Sequence, residues 1–508
     1  MKRMGKSIVV LLALALVLAA CGNSSKDSDS GKPSAASGEA ATQGLNDKIT
    51  ELNVVAISDR GEIKDLPVVQ EAVNAHIQNL IHAKVNITFV SVGDYVQKAN
   101  LMLTGNEKVD LMIVSPFFGF TSQVARGQLQ PLDELVDKYG PDIKSVLGSD
   151  YLNAGKVNGK LYGVVPMKDM AGGTGLIMRK DLVDQYKIDI GKIKTLEDIG
   201  PVLKTIKDNE PDVMPLVPGA TGASLLFFQK WYDELGDGNG VLPNYDNNLK
   251  VVNLFETPEY ADQVKWMREW YTSGYIMKDA ATTKEDHLEL VKAGRAFAYF
   301  SPTKPGIDDQ ESNKTGTPMV SADILPPAST TSTVTSFMWA IPRNAGAPEK
   351  AMAFLNLMYK DKELVNLIDW GIEGKHYVKI SDNEVDYPEG INGANTLYPM
   401  SMKFLFGNEF ISYTQKGTDP DIWKKLDAFN KSAIKSKALG FSFDSTPVKT
   451  ETAAVTNVIN TYKNALEAGT LDPVQKLPEF IAKLKDAGMD KIIAEKQKQL
   501  DEWAKLTP

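Results

Sequence analysis

Two pairs of residues stand where recognition chemistry would need them. Asp59-Arg60 follows the apolar run Leu52–Ile57, and Phe117-Phe118 follows Asp110–Val114. A carboxylate and a guanidinium make charge-assisted hydrogen bonds to hydroxyl groups, and aromatic rings offer a flat apolar face. Patterns for covalent, phosphate or metal chemistry do not form. Gly172-Gly173-Thr174-Gly175 lacks the Lys-Ser/Thr that a phosphate loop places after its glycines. Asp237-Gly238-Asn239-Gly240 begins like a calcium loop, but Val241 stands where an oxygen ligand belongs and no Glu closes it. His76 and His82 are six apart on an expected helix and share no face, and no His-Glu-x-x-His motif occurs. Cys21 is the single cysteine, which excludes an internal disulfide and a cysteine-based zinc site. Asp and Glu are plentiful but form no recognisable catalytic pair. No metal, no cofactor and no catalytic residue is therefore expected.

The elements that would position these residues can be read from apolar periodicity. Leu52–Ile57, Val85–Val92 and Asp110–Val114 read as strands, with helices over 66–82 and 95–103 between them. A strand-helix-strand-helix-strand order implies a parallel sheet, which binds ligands beyond the strands' carboxyl ends. Asn158-Gly159 signals a tight hairpin. Further on, the pattern predicts a helix start at Thr195–Asp198, a strand over 213–217, an aromatic helix over 227–232 and a strand over 296–300. Trp266, Trp270 and Tyr271 lie on another helix, at spacings that suit core packing. In Ser336–Pro342, Phe337, Trp339 and Ile341 alternate with Ser336, Met338 and Ala340, and neither side is charged. That pattern suits a strand covered on both faces. Pro348 then opens one helix and Leu364, Val365, Leu367 and Ile368 mark a second, which Gly371 ends. Three helices close the chain, over 450–468, 478–487 and 490–503.

At 508 residues the chain is too long for one core, so two or more lobes are expected. Its hydrophobic fraction of 43% and charged fraction of 24% are those of an ordinary globular protein. The net charge of −9 disfavours nucleic acid as a partner. Met1–Ala20 reads as an export signal: Lys2, Arg3 and Lys6 precede the apolar stretch Ile8–Ala20, too short to span a bilayer. Leu18-Ala19-Ala20-Cys21-Gly22 matches the lipobox of bacterial lipoproteins, which makes Cys21 the lipidation site and ties the chain to the membrane. Residues 21–47 are rich in Ser, Gly, Ala, Lys and Asp and should form a disordered tether.

Several runs carry a family resemblance. Gly371-Ile372-Glu373-Gly374-Lys375-His376-Tyr377, Gly127–Leu135 with its Gly-x-Leu-x-Pro-Leu-Asp turn, and Gly175–Leu182 are similar to runs in the extracellular solute-binding lipoproteins of ABC importers. The likeness is to the large oligosaccharide-binding branch from Gram-positive bacteria, whose C-terminal domain of unassigned function the tail from Gly440 resembles. The resemblance implies an α/β fold of two lobes, each a central sheet flanked by helices, joined by a multi-strand hinge. Lobe 1 would comprise 48–167 and 303–362, and lobe 2 would comprise 168–302 and 363–508. Crossings would fall near Pro166, Pro302 and Tyr359–Leu364. The implied function is capture of an oligosaccharide by a monomeric, lipid-anchored receptor on the outer face of the cell membrane, for delivery to ABC permease subunits. Alternatives are an exported glycan-active enzyme and a ligand-binding sensor for a membrane signalling partner. To Asp59, Arg60, Phe117 and Phe118 as ligand contacts, the hinge and lobe 2 would add Asp169, Trp231, Ser301, Trp339 and Trp370.

Overall fold

The structure, a computed structural model, describes residues 45–46, 48–60, 63–105 and 107–506. The export signal, Cys21 and nearly all of the expected tether lie outside the described residues. Leu45 already packs against the first core, so the folded part begins before the expected boundary at 47. No helix among the described residues is long and apolar enough to cross a membrane.

The first sheet forms as its pattern predicts. Strand β1 (Thr50–Ser58) runs parallel to β2 (Ala83–Ser91) and to β3 (Leu111–Val114). Helix α1 (Leu66–Ile81) links β1 to β2 and buries Val69, Val73, Ile77 and Ile81, one residue per turn on a single face. Helix α2 (Val92–Thr104) starts at Ser91, whose hydroxyl accepts the Asp94 N–H. The Asn158-Gly159 hairpin is also present; both residues have positive φ, as a two-residue turn of this kind requires.

The second sheet contains β4 (Gly172–Arg179), β5 (Met214–Leu216), β6 (Ala296–Thr303) and β7 (Met319–Ser329). β4 lies between β6 and β7 and is antiparallel to both, while β5 runs parallel to β6 at one edge. The late strand β8 (Met338–Ala340) returns to the first sheet and pairs antiparallel with β3. Short β9 (Ile434–Lys435) completes the second sheet against β7. Each sheet has its own apolar core, which defines two α/β lobes.

The lobe boundaries differ from the expected ones. β7 belongs to lobe 2, because it pairs along β4 and buries Met319 and Ala322 in the second core. The second crossing therefore follows Ser329, not Pro302. Helices α3 (Pro348–Leu357) and α4 (Lys362–Trp370) both stay with lobe 1, where Leu364 and Ile368 join the first core. Tyr398, Leu405 and Phe406 extend that core, so the third crossing falls beyond Phe406 rather than at Tyr359–Leu364. The chain then reaches α5 (Ile422–Ser432) and β9. The expected aromatic helix over 227–232 is a series of turns, and Tyr232–Asp233 pairs with Leu242–Pro243 in a short ribbon.

The C-terminal helices α6 (Lys449–Glu467), α7 (Pro473–Asp486) and α8 (Met489–Leu506) pack on lobe 2. They contribute Val455, Leu466, Phe480, Leu484 and Ile492 to its core. Helix α7 begins at Pro473, five residues before the expected Pro478, because Asp472 caps it by accepting the Val474 N–H.

Candidate functional site

The carboxyl ends of β1 and β3 carry the residues singled out in lobe 1. Ser58 is buried and its hydroxyl accepts the Arg60 N–H at 3.0 Å, which turns the chain so that Asp59 and Arg60 stand exposed. Asp59 accepts a hydrogen bond from the Ser401 hydroxyl. Arg60 lies near Tyr387, whose hydroxyl is pushed up by burial against the opposing charge of Arg60. After β3, Ser115 caps a single turn over Pro116–Phe118 and accepts the Phe117 N–H, and Gly119 exits with φ 81°. Phe117 is 77% exposed. A single exposed apolar ring marks nothing by itself, but Phe117 stands beside Phe118 at the sheet's carboxyl edge, where further rings gather.

Phe118 belongs to a row of rings. Its centroid is 5.1 Å from Tyr95 and 6.2 Å from Phe337, and Phe337 is 5.9 Å from Phe404. Phe118, Phe337 and Phe404 are half-buried, so each rests on the lobe while keeping part of its ring open. Phe404, Ser401 and Tyr387 come from the irregular stretch after α4, which folds back across the carboxyl end of β1. Leu397 anchors that stretch by accepting the Asp65 N–H at 3.1 Å. The sequence reading missed these three residues as site members, since an irregular stretch has no period to assign them a face. The alternation around Phe337 was visible, but not its neighbours.

The other expected contacts separate into different environments. Trp339 is fully buried in the core of lobe 1, donating its indole N–H to the Leu405 carbonyl at 2.7 Å, and it lines no surface. Trp370 is likewise buried, in a satellite cluster with Tyr377 and Val385. Its N–H is directed at Ser412 and Tyr413, and the Lys403 ammonium sits 2.8 Å from its ring centre. Both tryptophans are thus packing residues rather than the ligand contacts expected. Trp231 is 9% exposed and its indole N–H has no partner among the described residues. Ser301 is half-buried on β6, opposite Gly175 of β4.

Asp169 lies in the hinge. It is paired with Lys168 at 3.2 Å and Lys304 at 2.6 Å. Burial would raise its carboxyl, but the two ammonium groups outweigh that and hold it below the usual range. Glu409 lies beside this group and burial pushes its carboxyl up to about 7, with Asp169 acting in the same direction. Asp169, Lys304, Glu409 and Trp423 line a cavity of about 720 Å³ at the hinge.

A larger cavity, about 990 Å³, begins at Pro116 and Gly119 beyond β3. It runs between lobe 1 and the C-terminal segment, lined by Tyr162 on one side and by Phe443 and Trp503 on the other. The Asp237–Gly240 loop, which lacks the ligands for calcium, already holds a cation of its own. The fully buried Lys496 ammonium donates to Asp237 Oδ1 at 2.5 Å and to the Gly240 carbonyl at 3.1 Å.

Two sheet-centred lobes, joined by three chain crossings and carrying open rings and polar groups at a sheet's carboxyl edge, define a ligand-binding clamp. The chain belongs to the bacterial extracellular solute-binding protein family, whose model matches residues 67–364. A domain of unknown function, DUF3502, matches residues 437–505. The chain is 29% identical over 509 residues to a carbohydrate ABC transporter substrate-binding protein of Streptococcus pneumoniae, covering 97% of each. It is 22% identical to the polygalacturonan/rhamnogalacturonan-binding protein YtcQ of Bacillus subtilis, covering 74% of each. Among solved structures it resembles the N-glycan transport solute-binding protein NgtS of Streptococcus pneumoniae, with 27% identity and a TM-score of 0.78. That match covers 90% of this chain and 99% of NgtS. Against NgtS in complex with Man1GlcNAc or Man5GlcNAc the TM-score is 0.68 or 0.64.

Proposed function

We propose that this protein is the receptor of an ABC importer, capturing an oligosaccharide between its lobes and delivering it to the permease subunits. The observation that carries the reading is the open ring row at the carboxyl edge of β1 and β3, with Asp59 and Arg60 beside it. Sugar rings present C–H faces that stack on aromatics, and their hydroxyls take charge-assisted hydrogen bonds from such groups. NgtS supplies independent support. Solved structures of NgtS hold Man1GlcNAc and Man5GlcNAc, and at 26–27% identity over 90% of this chain they favour a glycan as the ligand here too. Asp59, Arg60, Phe117 and Phe118 are the contacts from lobe 1. Trp231 and Ser301 are those from lobe 2, and Asp169 belongs to the hinge.

The receptor acts as a monomer held at the outer face of the membrane by lipid on Cys21. Cys21→Ala is expected to release the protein into the medium or leave it unprocessed; full recovery with membranes would refute the anchor. Calorimetry with Man5GlcNAc, Man1GlcNAc and a galacturonate oligomer tests the ligand class. Binding of any of the three supports carbohydrate capture, and silence across these and a wider oligosaccharide panel would exclude it.

A further inference from the structure

We infer that the C-terminal domain of unknown function is one wall of the ligand site, and that it receives the outer units of a neutral oligosaccharide. The inference rests on the carbohydrate reading above. At about 990 Å³ the larger cavity is at the upper end of the ~300–1,000 Å³ usual for small-ligand pockets, which suits several linked sugar units better than one. Its lining includes Pro116 and Gly119, which bracket Phe117 and Phe118 in the chain, so the cavity adjoins the turn that carries the first of the rings. Tyr162 of lobe 1 and Trp503 of α8, both half-buried, line it from opposite sides. Trp503 packs its ring against Phe441 at 6.1 Å and 70°, which holds it in place as a platform.

The wall is built to keep its shape. Gln499 accepts the Asp444 N–H and donates to the Asp444 carbonyl, both at 2.9 Å, clipping the chain at 444 to α8. One turn away Lys496 ties the same helix to the Asp237–Gly240 loop. Thr121 and Ser442 meet hydroxyl to hydroxyl at 3.3 Å, where lobe 1 touches the C-terminal segment. The charges lining the cavity balance: Lys156, Lys160 and Lys498 against Asp444, Glu495 and Glu502. A polyuronate would gain nothing from such a lining, whereas a neutral glycan finds donors and acceptors of both kinds.

Trp503→Ala and Glu502→Lys test this, with Man1GlcNAc, Man5GlcNAc and a galacturonate pentamer as probes and calorimetry as readout. Trp503→Ala is expected to weaken the longer glycan about ten-fold and leave the shorter within about two-fold. Glu502 is exposed, so Glu502→Lys folds normally; it is expected to shift preference toward the galacturonate. Melting without ligand checks the fold of each variant. If Trp503→Ala is unstable, the Glu502→Lys preference decides alone. Equal affinities in wild type and both variants would overturn the wall while leaving carbohydrate capture intact. Wild type preferring the galacturonate would overturn the neutral class. A wild type that binds no glycan removes the parent reading, and this inference with it.

Discussion

Asp59 and Arg60 stand at the end of the central strand of lobe 1, and their surroundings differ enough to separate their roles. Asp59 already shares a proton with Ser401, so a ligand hydroxyl there must replace or join that bond. Arg60 is exposed and its neighbour Tyr387 is a neutral phenol. Replacing both by Ala is expected to weaken glycan binding by about thirty-fold or more, since each loss leaves a ligand hydroxyl without its partner at about 1–3 kcal/mol per group. Unchanged affinity by calorimetry would reduce the pair to loop solvation. Glu409 poses a different question, one of pH. Its carboxyl is raised from 4.5 to about 7, so between these values the folded protein holds a proton that the unfolded chain releases. Stability must therefore fall as pH rises through that window. Glu409→Gln is expected to remove the slope, leaving stability unchanged near pH 4 and raising it near pH 8 by about 1–3 kcal/mol. Urea unfolding at the two pH values checks this; a parallel slope in the variant would show that another group titrates.

Helix α8 shows how much one element can hold. Lys496 is fully buried, and burial lowers its ammonium pKa while Asp237 opposes the shift. Its ammonium lies 4.7 Å from the Phe443 ring, and the adjacent Gln497 accepts the Val251 N–H and donates to the Leu249 carbonyl. The helix is thus pinned to the 233–251 insertion by polar contacts, and by Leu500 in a small core with Leu242 and Phe441. Lys496→Ala leaves Asp237 without its cation. The expected cost is toward the lower end of about 3–5 kcal/mol, because Asp237 keeps some contact with water. Thermal unfolding measures it, and a change below about 0.5 kcal/mol would place the domain's attachment in its apolar contacts alone.

For the whole molecule, three crossings restrict the lobes to hinge motion. The crossings follow Met170 (not Pro166 as expected, since Met167 and Met170 still pack in the lobe-1 core), Ser329 and Phe406, and the ion-paired Asp169 lies at the first of them. A ligand touching both lobes binds the closed form better and shifts the equilibrium by that difference only. The radius of gyration from solution scattering is expected to fall when a binding glycan is added. Binding without compaction would replace the clamp by a rigid pocket.

Much of this was legible in the sequence because it is local. The period of Leu52–Ile57 and Val85–Val92, the Asn158-Gly159 turn and the Gly371 stop each depend on a few neighbouring residues, whose backbone preferences act wherever the lobe is placed. The family runs added the two-lobed plan. Burial is another matter, because it depends on what arrives from elsewhere in the chain. Trp339 and Trp370 look like ligand rings until Leu405, Ser412 and Tyr413 cover them from more than forty residues downstream. Phe404 looks like loop until it meets Phe337. The lobe boundary moved for the same reason: Met319–Ser329 has no local signal for its sheet, and only antiparallel pairing with Gly172–Arg179 assigns it to lobe 2. Local preference therefore decided which elements form, while long-range pairing and packing decided which side chains remain open to a ligand.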